Sequence, residues 1–139
     1  MNKSKGFTII ELIVVIAIIA VLAAIVMVNV TSYIAKGKDV SIKGNLSTAL
    51  TNAAVYYDTI TNYTSVCTDA VYGFKTALDA AGSVAGAAMI DCNASSTQWA
   101  ACAQLLTEDK YFCVDYTGAK KSIATKTTCV ATATFTVCP

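Results

Sequence analysis

From Leu12 to Ala35 the chain runs for 24 residues without a charge or a proline. As a helix, that run reaches about 36 Å at ~1.5 Å per residue, more than the ~30 Å hydrocarbon core of a bilayer. It is apolar on every face rather than striped, so it must be surrounded by lipid or by other helices. Of the 139 residues, what is left beyond it makes one small domain. Lys3 and Lys5 precede the run, which predicts an N-terminus held in the cytoplasm and a remainder delivered outside. A cleaved secretory signal is the rival reading, with Ala20, Ala23 and Ala24 as small residues for a peptidase. Against it, the run exceeds the ~7–15 residues of a signal core, apolar residues continue past the candidate site, and Glu11 interrupts its start.

The charge balance narrows the function. Charged residues are 14% of the chain, below the ~25% usual in soluble domains. The net charge of +1 gives no electrostatic case for nucleic-acid binding or for a polybasic membrane surface. Histidine is absent, which removes the commonest general base and metal ligand. No nucleophile, base and orienting group can be assembled, so an enzyme is not expected and no cofactor is implied. Asp69, Asp79, Asp91 and Asp115 lack the regular oxygen-ligand spacing of a calcium loop, and no metal is expected. The sequons at Asn45, Asn62 and Asn93 are what chance yields in a Ser/Thr-rich chain.

All six cysteines, Cys67, Cys92, Cys102, Cys113, Cys129 and Cys138, lie beyond the apolar run. An even number within about 70 residues points to disulfides formed in an oxidising compartment. A head of this size is marginal on its own core, and each bridge adds about 2–4 kcal/mol.

After the apolar run the periodicity changes. Ile34, Ile42, Leu46, Ala49, Leu50, Ala53, Tyr57 and Ile60 recur mostly at three- and four-residue steps, which predicts an amphipathic helix continuing the first. Gly37 and Gly44 mark either a bend or a tolerant exposed face. VYGFKTALDAAG predicts a short helix ending at Gly82, and SSTQWAACAQLL predicts another capped by Ser95 or Ser96. KYFCVDYTGAKKSIAT predicts a hairpin around Thr117-Gly118, and TTCVATATFTVCP a further strand. Trp99, the only tryptophan, is expected as a core anchor. The fold class is α+β: a long spine helix, apolar in its first half and amphipathic in its second, packed against a small antiparallel sheet head stapled by disulfides.

The opening KGFTIIELIVVIAIIAVLA closely resembles the processing and assembly signature of type IV pilins and their pseudopilin relatives. Its marks are a short basic leader, Gly6, Phe7, a glutamate five residues into the mature chain, and an unbroken apolar helix. The match is strong over the first 35 residues or so, and weaker through NLSTALTNAAVYYDTITNYT. The resemblance implies a leader over 1–6 cut after Gly6 by a prepilin peptidase, and a methylated Phe7 as the new N-terminus. It further implies a membrane and filament-core helix over 7–35, the amphipathic half of the spine over 36–62, and a disulfide-rich head over 63–139. The implied partners are further copies of the chain in a helical filament, the cytoplasmic membrane before assembly, the peptidase, and an assembly platform with its motor ATPase. Localisation passes from the cytoplasmic membrane to a cell-surface pilus. Where many pilins place a glycine and a proline in the apolar helix, this chain has Ala20 and Val28, so a melted segment is not encoded by the usual residues.

Glu11 then has a reason to sit in an apolar run. An unpaired carboxylate at mid-bilayer costs about 2.5–3.5 kcal/mol, and cleavage after Gly6 creates a partner, the charged amine of Phe7. In a helix bundle, a misregistered subunit leaves both charges buried and unpaired, whereas the matched position satisfies both. Phe7 and Glu11 are therefore the expected assembly residues. In the head, Cys129 and Cys138 could close a C-terminal loop as in many pilins. If the last strand is straight they lie too far apart, and Cys113 to Cys138 across paired strands is the better choice. Two further readings share the signature or the start: a pseudopilin of a type II secretion system, and a secreted disulfide-rich binding module.

Overall fold

The computed structural model describes residues 6–86, 90–124 and 137–138. The chain divides into two compact units, Met1–Ile34 and Ala35–Pro139, and each is described by itself.

The first unit is the N-terminal part of helix α1 (Ile9–Ile60). Its apolar side chains are exposed on all sides; Ile10, Ile16, Leu22 and Ile25 are each more than half accessible. The segment is long and apolar enough to cross a membrane, and the helix is unbroken at Ala20 and Val28. Backbone hydrogen bonds close within the helix, so it can exist in an apolar medium without other protein partners.

The second unit begins with the rest of α1 and adds a short 3-10 turn (Val66–Thr68), helix α2 (Phe74–Ala85) and four strands. These are β1 (Ile90–Ala94), β2 (Trp99–Gln104), β3 (Tyr111–Asp115) and β4 (Lys120–Ile123). They form an antiparallel meander in the order β1-β2-β3-β4. Alternation along the strands makes two faces. Trp99, Ala101, Ala103 and Val114 join Ile42, Leu46, Ala49, Ala53 and Tyr56 of α1 and Phe74 and Leu78 of α2 in the main core. On the other face Cys102, Tyr111, Cys113, Ile123 and Cys138 form a second, smaller cluster. Trp99 is buried, with its ring edge-on to Phe74 at 5.1 Å and to Tyr63 at 6.4 Å.

Several expectations need correction. SSTQWAACAQLL is not a helix. β2 is the strand between β1 and β3, and it is buried along five of its six residues. Alanine's helix preference is a few tenths of a kcal/mol per residue, less than two backbone ladders and burial on both faces supply. Ser95 does serve as a cap, but of a turn. Its Oγ accepts the N–H groups of Gln98 at 3.1 Å and Thr97 at 3.4 Å, closing the β1–β2 hairpin. The same affinity of a serine oxygen for N–H groups two and three residues ahead underlies both motifs.

Helix α2 also outruns its expected end at Gly82 and stops at Gly86, which takes φ of 105°. Gly82 is inside the helix for packing: a Cβ there would come 3.3 Å from Ile90 Cγ2 of β1. In α1 the buried tyrosine is Tyr56, not Tyr57, which is exposed and stacks on Tyr63 at 4.6 Å. Ile34 and Ile60 are exposed as well. At Gly37 and Gly44 the helix continues and an added Cβ would meet nothing, so these glycines lie on an open face. The hairpin around Thr117-Gly118 is present, with Gly118 at φ 85°. The strand expected from TTCVATATFTVCP falls almost wholly outside the described residues.

Disulfides join Cys67 to Cys92 and Cys113 to Cys138; Cys102 is disulfide-bonded as well. Cys129 is outside the described residues. The pairing of Cys113 with Cys138 was the choice favoured on spacing, but its expected geometry was wrong. β3 has β2 and β4 as its ladder neighbours, so Cys138 reaches Cys113 over the face of the sheet and not as a cross-strand partner. Asp115, fully buried, fixes the same end: its Oδ2 accepts the Cys138 N–H at 2.8 Å. Its Oδ1 accepts from Thr117 N, Thr117 Oγ1 and Ala119 N.

Candidate assembly site at the N-terminus

A peptide helix leaves its first N–H groups without partners, and here the sequence Thr8-Ile9-Ile10-Glu11 meets that need. Thr8 C=O accepts the first helical bond, from Leu12 N at 3.3 Å. Thr8 Oγ1 accepts from Glu11 N at 3.3 Å, while Glu11 Oε2 accepts from Thr8 N at 2.9 Å and Thr8 Oγ1 at 2.8 Å. This is a capping box, in which a threonine and a glutamate three residues later satisfy each other's backbone donors. Sequence reading gave Glu11 only its charge role; the T-x-x-E spacing is the signal that would have found the cap.

Gly6 and Phe7 lie before the helix, both exposed, with Phe7 81% accessible. A Cβ at Gly6 would meet nothing within 4 Å, so the bond after it is unobstructed by the described residues. Helix α1 starts at Ile9, and the Glu11 carboxylate is engaged with Thr8. Phe7 therefore does not share a helical face with Glu11 of its own chain here. With residues 1–6 attached, Phe7 N is a peptide nitrogen and carries no charge to offer. A carboxylate held by one threonine, followed by an uninterrupted apolar run from Leu12 to Val28, keeps acceptor capacity for a cation arriving from outside the chain.

The head contributes a second buried carboxylate that sequence reading passed over. Asp39, 5% accessible on α1, accepts the N–H groups of Leu106 at 2.5 Å and Thr107 at 3.1 Å, and also the Thr107 hydroxyl. It clamps the β2–β3 loop onto the spine helix. Burial alone would raise the Asp39 carboxyl; the bonds from Thr107 and Leu106, with Lys43 nearby, outweigh it and hold the group below the ordinary carboxylate range. Asp115 follows the same pattern, burial opposed and outweighed by Thr117, Cys138 and Ala119. An aspartate at a polar-looking helix position gives no hint of a partner 67 residues away. Among the described residues no group of His, Cys, Asp or Glu is placed to hold a metal ion.

No curated protein and no solved structure gives a significant match to the chain. The layout of a long apolar N-terminal helix with a small antiparallel sheet, four-stranded among the described residues, and a disulfide-stapled head is that of a type IV pilin-like α+β fold. Residues 1–27 match the family model of the prokaryotic N-terminal methylation motif, so the chain carries the leader signature of type IV pilins and pseudopilins.

Proposed function

We propose that this chain is the precursor of a structural subunit of a type IV pilus. The coarser statement, a type IV pilin or pseudopilin and hence a structural protein, is what the methylation motif supports. The finer reading assigns residues 1–6 as a leader removed after Gly6, Phe7 as the methylated N-terminus, and Phe7 to Ala35 as the segment that rests in the membrane and then moves into the filament core. A prepilin peptidase performs the processing, and an assembly platform with a motor ATPase extracts the subunit. Adhesion, twitching motility or DNA uptake follow at the level of the filament.

The observation that carries the reading is Glu11. It sits at the start of the exposed apolar part of α1, and its only bonds among the described residues are to Thr8 of its own cap. Cleavage supplies the missing cation: the Phe7 amine of a neighbouring copy, in a low-dielectric bundle where an unpaired charge costs several kcal/mol. The pair sets register more than it adds net stability.

The experiment is mass spectrometry of the mature N-terminus together with electron microscopy of purified filaments. A chain starting at methylated Phe7 within surface filaments is the expected result. The same N-terminus confined to short periplasmic filaments would make it a pseudopilin. A soluble chain starting after Ala24 would make it a secreted disulfide-rich module and end the proposal.

A further inference from the structure

Asn29 interrupts the exposed apolar part of α1 about three-quarters of the way along it. A carboxamide brings two donors and one acceptor. Here one donor goes to the C=O of Ile25 in the same helix, at 3.2 Å, and the oxygen and the second N–H still need partners. In hydrocarbon such groups are costly unless another helix supplies the bond.

Position along the helix says where the partner lies. Asn29 follows Glu11 by 18 residues, five full turns at ~3.6 residues per turn, so the two share one face, with Ile18, Leu22 and Ile25 between them. Tyr33 lies four residues beyond Asn29, on the same side and 71% accessible. Resting on the proposed function, let Glu11 of one subunit meet the Phe7 amine of the next, in parallel helices. With the first turn of α1, which begins at Ile9, extended back to Phe7 in the cleaved chain, each residue of the second subunit then lies level with the residue four places later in the first. Phe7 to Asn29 and Glu11 to Tyr33 are both spans of 22 residues. The register that pairs Phe7 with Glu11 therefore brings Asn29 of the next subunit level with Tyr33. Continuity of α1 through Ala20 and Val28 preserves the phase between the two ends.

We infer that Tyr33 of one subunit and Asn29 of the next form a second polar contact in the filament core, with the tyrosine hydroxyl donating to the carboxamide oxygen. The two contacts stand roughly 33 Å apart along the helix. One contact would fix register and leave tilt free; two fix both. A slip of one residue turns a helix by about 100° and breaks the pair at each end.

The test uses filaments of the full-length, processed chain. Filaments co-assembled from Asn29→Cys and Tyr33→Cys subunits, treated with an oxidant, should give a dimer whose cross-linked peptide joins positions 29 and 33, absent from filaments of either variant alone. Tyr33→Phe deletes one oxygen and leaves the asparagine unsatisfied; detergent dissociation of its filaments should be about threefold to tenfold faster. Adding Asn29→Leu should restore the rate towards wild type, because both partners are then apolar. If the cysteine variants do not assemble, Tyr33→Phe and its double variant decide alone. Lack of the mixed dimer in assembled filaments, or an unchanged rate for Tyr33→Phe, overturns this contact while normally processed wild-type filaments leave the proposed function standing. If the wild-type chain forms no filament, both readings fall.

Discussion

The two parts of helix α1 share a backbone geometry and differ in what surrounds them. Ile9, Ile16, Leu22, Ile25 and Ile34 are exposed, whereas Ile42, Leu46, Ala49, Ala53 and Tyr56 are buried against the sheet and α2. The later segment is stabilised inside its own chain. The earlier one has satisfied its backbone and left its large apolar side chains exposed, so their environment must come from lipid or from other copies. Polar groups follow the same division. Asp39 and Asp115 are met by donors of their own fold, while Glu11 and Asn29, among the described residues, bond to neighbours about one turn away.

The comparison would break most sharply at Glu11. Glu11→Ala is expected to abolish filaments, while Glu11→Gln keeps an oxygen for the Thr8 N–H and removes only the charge. If register depends on charge, both variants lose filaments, and the melting of the head is unchanged in each. Normal filament yield from Glu11→Gln, counted by electron microscopy, would assign the residue to capping alone.

Next in size is the covalent staple of the head. Replacing Cys113 and Cys138 with alanine should cost about 2–4 kcal/mol in denaturant unfolding followed by Trp99 fluorescence, with membrane insertion of the precursor unaffected. An equal loss of insertion would mean the two regions are not independent.

The Asp39 clamp comes third. Asp39→Ala leaves the Leu106 and Thr107 N–H groups without an acceptor, at about 1–3 kcal/mol. The carboxyls of Asp39 and Asp115 are both held low in the folded state. Their contribution is complete above the unfolded aspartate value near 3.8 and disappears as pH falls through the folded values. Head stability should therefore be flat from neutral pH to about 5 on account of these groups and fall in stronger acid, with a shallower acid slope in Asp115→Asn. A head whose stability rises on acidification would contradict the clamps.

The smallest effect is at the end of α1. Thr61 takes φ of 63°, the left-handed region that a β-branched residue tolerates poorly. Thr61→Gly should stabilise the head by about 0.5–1 kcal/mol in the same unfolding experiment, and a destabilisation would show that the Thr61 hydroxyl bond to Ile60 C=O at 2.7 Å matters more than the strain.

Legibility followed the range of the interactions. The apolar run, the amphipathic continuation and the Thr117-Gly118 hairpin all depend on residues within a few places of one another, and periodicity or turn chemistry reports them directly. WAACAQ misled because its local preference is helical while its partners, β1 and β3, come from elsewhere in the chain. Tyr56 and Tyr57 are adjacent, and it is Tyr56 that continues the buried stripe of Leu46, Ala49 and Ala53 and meets Tyr72 edge-on at 5.6 Å.

The amino-acid order alone determined that this chain has an all-round apolar helix with a carboxylate near its start, a processing signature before it, and an oxidised head after it. Those are properties of composition and near spacing, and no folding is needed to read them. Tertiary structure alone decided that an alanine-rich stretch is the buried strand of a meander, that Cys138 comes to Cys113 across a sheet face, and that Asp39 holds a loop far along the chain. Each is a competition between a local preference of tenths of a kcal/mol and a set of distant contacts worth several, and only the folded chain brings those contacts together.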